Sequence, residues 1–277
     1  MKVLITGANG QLGREIAKQY KEIKEIDLIL AGRSDLDITK VNEVYSFVNK
    51  NKPDVIINCA AFTAVDKCET EIDMAYKINT IGPKNLAIAA NEIGAEIVQV
   101  STDYVFDGNM HQSLTEFDEV NPQTVYGKTK LEGEKLVRSF NPKHYIVRTA
   151  WLYGDGNNFV KTMLNLSETH KTLKVVNDQT GTPTSTVDLA RVIIKLVEDK
   201  NYGLFHCTCK GQCTWYEFTK EIFRIKGIDT EVLPCTTDQF PRPAKRPEYS
   251  VLRNYMLELT TGDITRTWQE AISEYLK

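Results

Sequence analysis

No stretch of this 277-residue chain is apolar for long enough to span a bilayer, and its charge leans to neither side. Against 37 Asp and Glu stand 34 Lys and Arg, a net of −3, with no run of like charge long enough to form a tail. A nucleic acid therefore finds no electrostatic footprint here. The first residues enter a strand pattern at once, without a signal-like region, so the expectation is a cytoplasmic protein with neither membrane nor nucleic-acid partner. Cysteine is too sparse for a disulfide scaffold, at six in the whole chain. Cys59, Cys68 and Cys235 are scattered, and Cys59 sits in an apolar run where a small buried thiol fits. The group His206-Cys207-x-Cys209-x-x-x-Cys213 lacks a zinc spacing and reads as incidental strand cysteines. Internal repeats and low-complexity segments are also missing.

What is there begins at residue 2. The apolar run Lys2-Val-Leu-Ile-Thr6 stops at Gly7, and Gly10 and Gly13 follow at three-residue intervals as a helical pattern opens. Such glycines let a backbone turn sharply, approach a pyrophosphate and pack a helix on a strand, while the helix N-terminus offers free N–H groups. Strand, turn and helix come in the order that dinucleotide binding needs.

The N-terminal half alternates apolar runs with amphipathic stretches, the pattern of βαβ units around a parallel sheet. Strands are expected at Val3–Thr6, Asp27–Ala31, Val55–Cys59, Ile97–Ser101 and Tyr145–Arg148. Helices are expected near Leu12–Tyr20, Val41–Asn49, Asp73–Ile93 and Tyr126–Ser139. Right-handed crossovers put the loops after these strands on one edge, where the polar clusters Gly7–Gly13, Gly32–Asp37, Ala60–Asp66, Ser101–Phe106 and Thr149–Tyr153 then gather. After Trp151 the pattern loosens, with Gly-, Pro-, Asn- and Thr-rich segments at 154–158 and 178–185. Helices follow near Thr186–Glu198 and Trp215–Ile225, the second opened by the capping box Thr214-x-x-Glu217. The proline-rich stretch from Phe240 to Pro247 is expected to be neither helix nor central strand. The fold class read from this pattern is α/β, a Rossmann-type doubly wound parallel sheet with a smaller C-terminal lobe. Residues 1–150 form the dinucleotide-binding domain with the catalytic residues; 151–277 form mainly a substrate-binding lobe, with some segments returning to the main domain.

Tyr126 and Lys130 stand one helical turn apart, hence on one face. A nearby ammonium lowers a phenol's pKa from about 10, so the pair can deliver a proton to a carbonyl oxygen while hydride reaches its carbon. Two further Tyr-x-x-x-Lys pairs exist, Tyr20/Lys24 and Tyr216/Lys220. Position selects Tyr126, which opens a helix after the turn Asn121-Pro122, one strand–loop unit beyond Ser101-Thr102-Asp103-Tyr104.

With the stretches Gly7–Gly13, Asn58–Asp66, Ser101–Phe106, Tyr126–Lys130, Arg148–Tyr153, Gly156–Phe159, Asp178-Gln179, Gly181–Thr184 and Arg246-Pro247, in order over residues 1 to about 250, the chain resembles the extended short-chain dehydrogenases/reductases. Within them it is most similar to enzymes acting on nucleotide-linked 4-ketohexoses. The resemblance implies NADPH-dependent reduction of the C4 ketone of dTDP-4-dehydro-L-rhamnose, the last step of dTDP-L-rhamnose synthesis. It implies Thr102, Tyr126 and Lys130 as the catalytic set: Tyr126 the proton donor, Lys130 the group that lowers its pKa and holds the nicotinamide ribose, Thr102 the hydroxyl that orients the carbonyl. Cofactor contacts are implied for Gly7, Asn9, Gly10, Gln11, Leu12, Gly13, Arg33, Ser34, Asp37, Ile38, Ala60, Ala61 and Thr63, with Tyr126 and Lys130. Substrate contacts are implied for Thr63, Val65, Thr102, Asp103, Tyr104, Trp151, Asn158 and Arg246. Trp151 offers a flat apolar face for a sugar ring and Arg246 a fork for a diphosphate.

Where NAD-preferring enzymes commonly place an acid after the second strand, this chain has Gly32-Arg33-Ser34, which suits a 2′-phosphate and favours NADPH over NADH. In some members of the family Mg²⁺ bridges a dimer through several Glu. Glu15 matches one such position, but the partner site near Val187 is apolar, so no required metal is expected. The partners expected are a dTDP-sugar and, at most, a second copy of the chain. One alternative is a non-catalytic NADP-binding regulatory subunit like the β subunit of methionine adenosyltransferase. The joint presence of Thr102, Tyr126, Lys130, Trp151 and Arg246 discriminates against it. Another is a reductase or epimerase of a different nucleotide-linked 4-ketohexose, which net NADPH consumption would separate.

Overall fold

Val3, Leu4 and Ile5 are wholly buried, and successive side chains of a strand point to opposite faces. A strand with both faces apolar must be covered on both sides, which is what a parallel sheet between helical layers provides. In the computed structural model, which describes residues 1–277, this run is strand β1 (Lys2–Thr6), paired on both sides within the main sheet. The other strands are β2 (Asp27–Ala31), β3 (Val55–Asn58), β4 (Glu96–Thr102), β5 (His144–Thr149), β6 (Leu152–Tyr153), β7 (Thr172–Val176), β8 (Thr180–Gly181), β9 (Thr184–Ser185), β10 (Gly203–His206), β11 (Cys213–Thr214) and β12 (Glu231–Cys235). The helices are α1 (Gln11–Lys21), α2 (Val41–Asn51), α3 (Val65–Cys68), α4 (Ile72–Tyr76), α5 (Gly82–Glu92), α6 (Val125–Phe140), α7 (Phe159–Ser167), α8 (Thr186–Asp199), α9 (Trp215–Lys226), α10 (Tyr255–Leu259) and α11 (Trp268–Tyr275). None is long and apolar enough to cross a membrane.

Six strands form one parallel sheet in the order β10-β5-β4-β3-β1-β2. From β1 the chain runs outward to β2 and then returns to β3 on the other side. The order therefore reverses at β1, and the crevice beyond its C-terminal end is where such sheets bind ligands. Val3 and Ile5 pack with Leu12, Ile16, Leu189 and Ile193 of α1 and α8. Leu4 packs on the opposite face with Val44, Leu86 and Val137 of α2, α5 and α6. The fold is the α/β, Rossmann-type doubly wound sheet read from the sequence. A third apolar cluster, with Tyr153, Val160, Phe218 and Trp268, is the core of the C-terminal lobe. There short pairs of strands, β7 with β12, β8 with β11 and β6 with β9, replace a single sheet.

Three details differ from the sequence reading. The helix expected over 73–93 is interrupted: α4 gives way to a π-helical turn at Lys77–Ile81 before α5 begins. Within that turn the Asn79 side chain accepts from the Phe62 N–H at 2.8 Å and donates to its carbonyl at 3.1 Å, tying the turn to the loop after β3. The strand read at His206–Cys209 lies earlier, at Gly203–His206: β10 closes one edge of the main sheet with Phe205 fully buried, and Cys207 and Cys209 follow it outside any strand. The segment Val65–Cys68, read as loop, is a short helix.

Candidate functional site

The turn after β1 is built by steric necessity. Gly7 stands at φ +62°, and a Cβ there would come within 2.6 Å of the Ala60 nitrogen at the end of β3. At Gly13 a Cβ would lie 2.5 Å from the Gly7 carbonyl oxygen, so only glycine lets α1 seat this close to its strand. Gly10 is the N-cap of α1, its N–H donating to the Gly7 carbonyl at 2.9 Å, and no side chain caps the helix. The free N–H groups of the first turn and the helix dipole are thus unspent. Gly10, Gln11, Leu12 and Gly13 line a cleft of about 1000 Å³, and the buried Gln11 Oε1 has no hydrogen-bond partner. This geometry fits an anionic dinucleotide: a close-approach glycine cradle, an uncapped helix N-terminus and an unmet polar atom face one space.

Beyond β2, the Gly32 N–H donates to Asp35 Oδ2 at 2.8 Å, and the Asn9 amide lies directly against Gly32. Arg33 and Ser34 are exposed beside it, without an ion-pair partner for Arg33. Asp37 accepts from Thr39, N–H at 3.0 Å and hydroxyl at 2.7 Å, and these bonds hold its carboxyl below the usual range. Ile38 is buried against Gly82 in the core between α2 and α5, so its side chain faces inward rather than into the cleft.

Across the cleft, β4 ends in Thr102 and α6 opens at Val125, its first turn capped by the Thr124 hydroxyl accepting from the Gly127 N–H at 3.0 Å. Gly127 is required because a Cβ there would run into the Tyr104 carbonyl. The Tyr126 phenol lies beside the Thr102 hydroxyl, its ring edge-on to Tyr104 at 5.5 Å. Lys130 Nζ donates to the Val100 carbonyl at 2.6 Å. Burial lowers the Lys130 ammonium to about 8, opposed by Glu134 and Cys59. Burial likewise pushes the Tyr126 phenol up, opposed by Thr102. The expected lowering of Tyr126 by Lys130 is not what the geometry gives. The ammonium is tied to Val100 and balanced by Glu134, and loss of solvation dominates at the phenol. Tyr126 is thereby a neutral O–H donor at physiological pH. Thr102 donates to Asp103 Oδ1 at 2.9 Å, and burial lifts this carboxyl to about 6, while its Oδ2 has no partner. The other two Tyr/Lys pairs lie elsewhere: Tyr20 is in the core of α1, and Lys220 covers the Tyr216 ring at 5.4 Å.

The C-terminal lobe forms the far wall. Trp151, at a left-handed φ of +47°, stacks on Trp215 with centroids 3.4 Å apart and planes 7° from parallel. Such backbone strain costs about 1–3 kcal/mol and persists where packing over-determines it; here Trp215 and Gly181 both contact the indole. Arg246 Nη2 bonds Asp66 Oδ2 at 2.9 Å, while its buried Nη1 has no partner. Ala60, Ala61, Thr63 and Val65 complete the near wall. Gly7, Asn9, Arg33, Ser34, Asp37, Ile38 and Asn158 are not among the cleft's lining residues. The Asn158 amide is occupied as the N-cap of α7, accepting from the Lys161 N–H at 3.1 Å and donating to Gly154, Gly156 and Tyr275.

Sequence reasoning missed Trp215, Lys174, Arg242 and Asp66 as cleft residues. Trp215 was visible only as the residue after a capping box, and Arg242 only as part of a proline-rich stretch. Lys174 alternates outward on a short strand with nothing local to mark it. Glu15 accepts from Gln19 at 2.8 Å, and Gln19 also donates to the Val187 carbonyl at 3.0 Å. Nowhere do three or more His, Cys, Asp or Glu side chains converge to hold an ion, and all six cysteines are unpaired.

The family described as the RmlD substrate binding domain matches residues 1–277. A spore coat polysaccharide biosynthesis protein of Bacillus subtilis is 43% identical over 277 residues, spanning 100% of this chain and 97% of its own length. A solved dTDP-4-dehydrorhamnose reductase from Clostridium acetobutylicum is 70% identical with a TM-score of 0.99, covering 100% of this chain and 98% of its own. Another, from Bacillus anthracis and in complex with NADP, is 41% identical with a TM-score of 0.97, covering 99% and 98%.

Proposed function

The chain belongs to the RmlD substrate-binding-domain family, and on that premise we propose that it is an NADPH-dependent oxidoreductase that reduces the C4 ketone of dTDP-4-dehydro-L-rhamnose to dTDP-L-rhamnose. The observation that carries the reading is the meeting, in one cleft, of the uncapped glycine turn with Thr102, Tyr126 and Lys130. A dinucleotide site and a proton donor for a carbonyl share a single space.

When bound, NADPH supplies the hydride. Tyr126 gives its phenolic proton to the ketone oxygen, a step burial favours because it keeps the donor protonated. Thr102, held beside Tyr126 by its bond to Asp103, turns its hydroxyl proton from that carboxylate to the ketone oxygen when substrate is bound. The Lys130 ammonium stabilises the phenolate left behind. Trp151, supported by Trp215, forms an apolar wall for the deoxysugar. The free Nη1 of Arg246, with Arg242 and Lys174 in the same cleft, supplies donors for the diphosphate. Asp66 holds Arg246 in place for that role. Arg33 and Ser34 would take the 2′-phosphate at the outer end of the glycine turn. Six free thiols suit the cytoplasm. We further propose that the protein works as a monomer or homodimer and needs no Mg²⁺, since Glu15 accepts from Gln19 and the position facing it at Val187 offers no carboxylate.

The test is to follow NADPH absorbance with dTDP-4-dehydro-L-rhamnose for wild type and Tyr126→Phe. Wild type should consume NADPH stoichiometrically, which an epimerase would not do, and the variant should lose at least about 100-fold in kcat. A wild-type protein that binds NADPH but turns nothing over would overturn the enzymatic reading.

A further inference from the structure

Behind the reacting groups lies a buried network that the reaction as described does not use. Glu134 sits one turn beyond Lys130 on α6 and is 3% exposed. Its Oε1 accepts from Ser101 Oγ at 2.5 Å and from Arg148 Nε at 2.9 Å, and its Oε2 from Arg148 Nη2 at 2.7 Å. Arg148, on β5, is itself covered by the Phe106 ring at 5.2 Å, and its Nη1 has no partner. From α6, the lysine and the carboxylate reach consecutive residues at the end of β4. Val100 holds the Lys130 ammonium, Ser101 holds Glu134, and Thr102 carries the hydroxyl beside Tyr126.

A carboxylate buried this deeply, with a two-point guanidinium fork and a hydroxyl on it, cannot rotate away. Because Arg148 already neutralises it, a purely structural ion pair would need nothing more. Yet it stands at i+4 from a lysine that burial would otherwise discharge. Resting on the reductase reading above, we infer that Glu134 is a positioning residue for the reaction: clamped by Arg148 and Ser101, it keeps the Lys130 ammonium charged and in register with Thr102 and Tyr126. The titratable and charged groups on the elements packed about Lys130 are Glu134 and Tyr126 on its own helix, Cys59 after β3, Asp103 after β4, and Arg148 on β5, the last reaching it only through Glu134. Of these, Glu134 supplies the opposing charge, since burial pushes the Cys59 thiol up to about 12 and leaves it neutral where Lys130 titrates.

Two readouts test this. The first needs no substrate: the titration of the Lys130 Cε resonance in lysine-labelled protein, assigned with Lys130→Arg. E134Q should lower the midpoint by at least about one pH unit, the scale expected for losing an opposite charge at this range. E134D, which keeps the charge but withdraws it, should lower it less. S101A, which leaves every charge in place, should leave the midpoint unmoved. If E134Q does not fold, the ordering wild type above E134D, with S101A equal to wild type, carries the test alone. Equal midpoints in all the folded variants would overturn the inference. The second readout is the alkaline limb of kcat/KM, which should move to lower pH by the same amount as the resonance. A midpoint that moves while the wild type reduces no ketone would count against the proposed function, not against this role of Glu134. A limb that stays fixed while the midpoint moves would exclude Glu134 from the reaction.

Discussion

Tyr126, Thr102 and Asp103 form a chain in which each group conditions the next, and the conditions differ in sign. Burial keeps the Tyr126 phenol protonated through neutral pH. The same burial brings Lys130 down to about 8, so the ammonium that must stabilise the phenolate is lost as pH rises through that value. Asp103, lifted to about 6, accepts from Thr102 as a carboxylate; protonated below that value it becomes a donor itself, and the charge-assisted bond that orients the Thr102 hydroxyl is lost. The free enzyme should therefore show a bell-shaped kcat/KM, falling on the acid side near 6 with Asp103 and on the alkaline side near 8 with Lys130. Asp103→Asn should abolish the acid limb and leave the alkaline one. A flat profile between pH 5 and 9, measured at saturating cofactor, would remove both groups from the reaction. Tyr126 was legible from the sequence as a candidate through its position after the fourth strand, since three Tyr-x-x-x-Lys pairs share the spacing, and Thr102 and Asp103 through the family resemblance. Their environment was not legible. Nothing local to Tyr126 indicates that its phenol is desolvated, or that Lys130 reaches Val100 and stands near Glu134.

At the scale of elements, the glycine turn separates two jobs that the spacing alone runs together. A Cβ on Gly10 would meet only the Gly7 carbonyl, at 3.2 Å, and would otherwise extend toward the cleft. One on Gly13 would lie 2.5 Å from that carbonyl and 2.8 Å from the Ala8 Cα, both backbone, so α1 must move off β1. Gly13→Ala should thus cost about 1–3 kcal/mol of stability, as overpacking does, and weaken NADPH at least about tenfold. Gly10→Ala should weaken NADPH while leaving the denaturation midpoint within about 1 °C, since its added methyl meets little protein. Equal stability for the two variants, by calorimetry, would show that the turn does not pack as described. Elements with strong periodicity, such as β1, α1 and α8, were legible to within a residue or two. Those fixed by distant partners were not. The π-helical turn is tied through Asn79 to Phe62, 17 residues away in sequence, and β10 forms because β5 offers an edge to Phe205 and its neighbours. Asn158, expected to touch substrate, has its amide engaged as the N-cap of α7.

For the whole molecule, the segment from Thr186 to His206 decides whether the chain behaves as two units or one. It lies within the second half of the sequence, yet α8 packs against β1 and α1, and β10 extends the main sheet. From α8, the fully buried Asp188 accepts a two-point bond from Arg266, with Nη2 to Oδ2 at 2.6 Å, and Arg266 also bonds Glu274 of α11. A buried carboxylate with one charged partner cannot lose it cheaply; breaking such a pair costs about 3–5 kcal/mol. The lobe is therefore bolted to the helix that covers the dinucleotide-binding sheet, and neither half can melt while the other keeps its core. Thermal unfolding should be a single transition, and a ligand that touches only the sheet edge should raise all of it. At a concentration of 100 times its Kd, NADPH should add about 2.7 kcal/mol to stability. That corresponds to about 5 °C for a chain of this size. NADH at the same concentration should raise it by less, because Arg33 and Ser34 then have no 2′-phosphate to hold, and Arg33→Ala should bring the two cofactors together. Two resolved transitions with only the lower one moved by NADPH would break the coupling through Asp188 and Arg266. An equal shift from NADH in the wild type would remove Arg33 from cofactor choice while leaving that coupling intact.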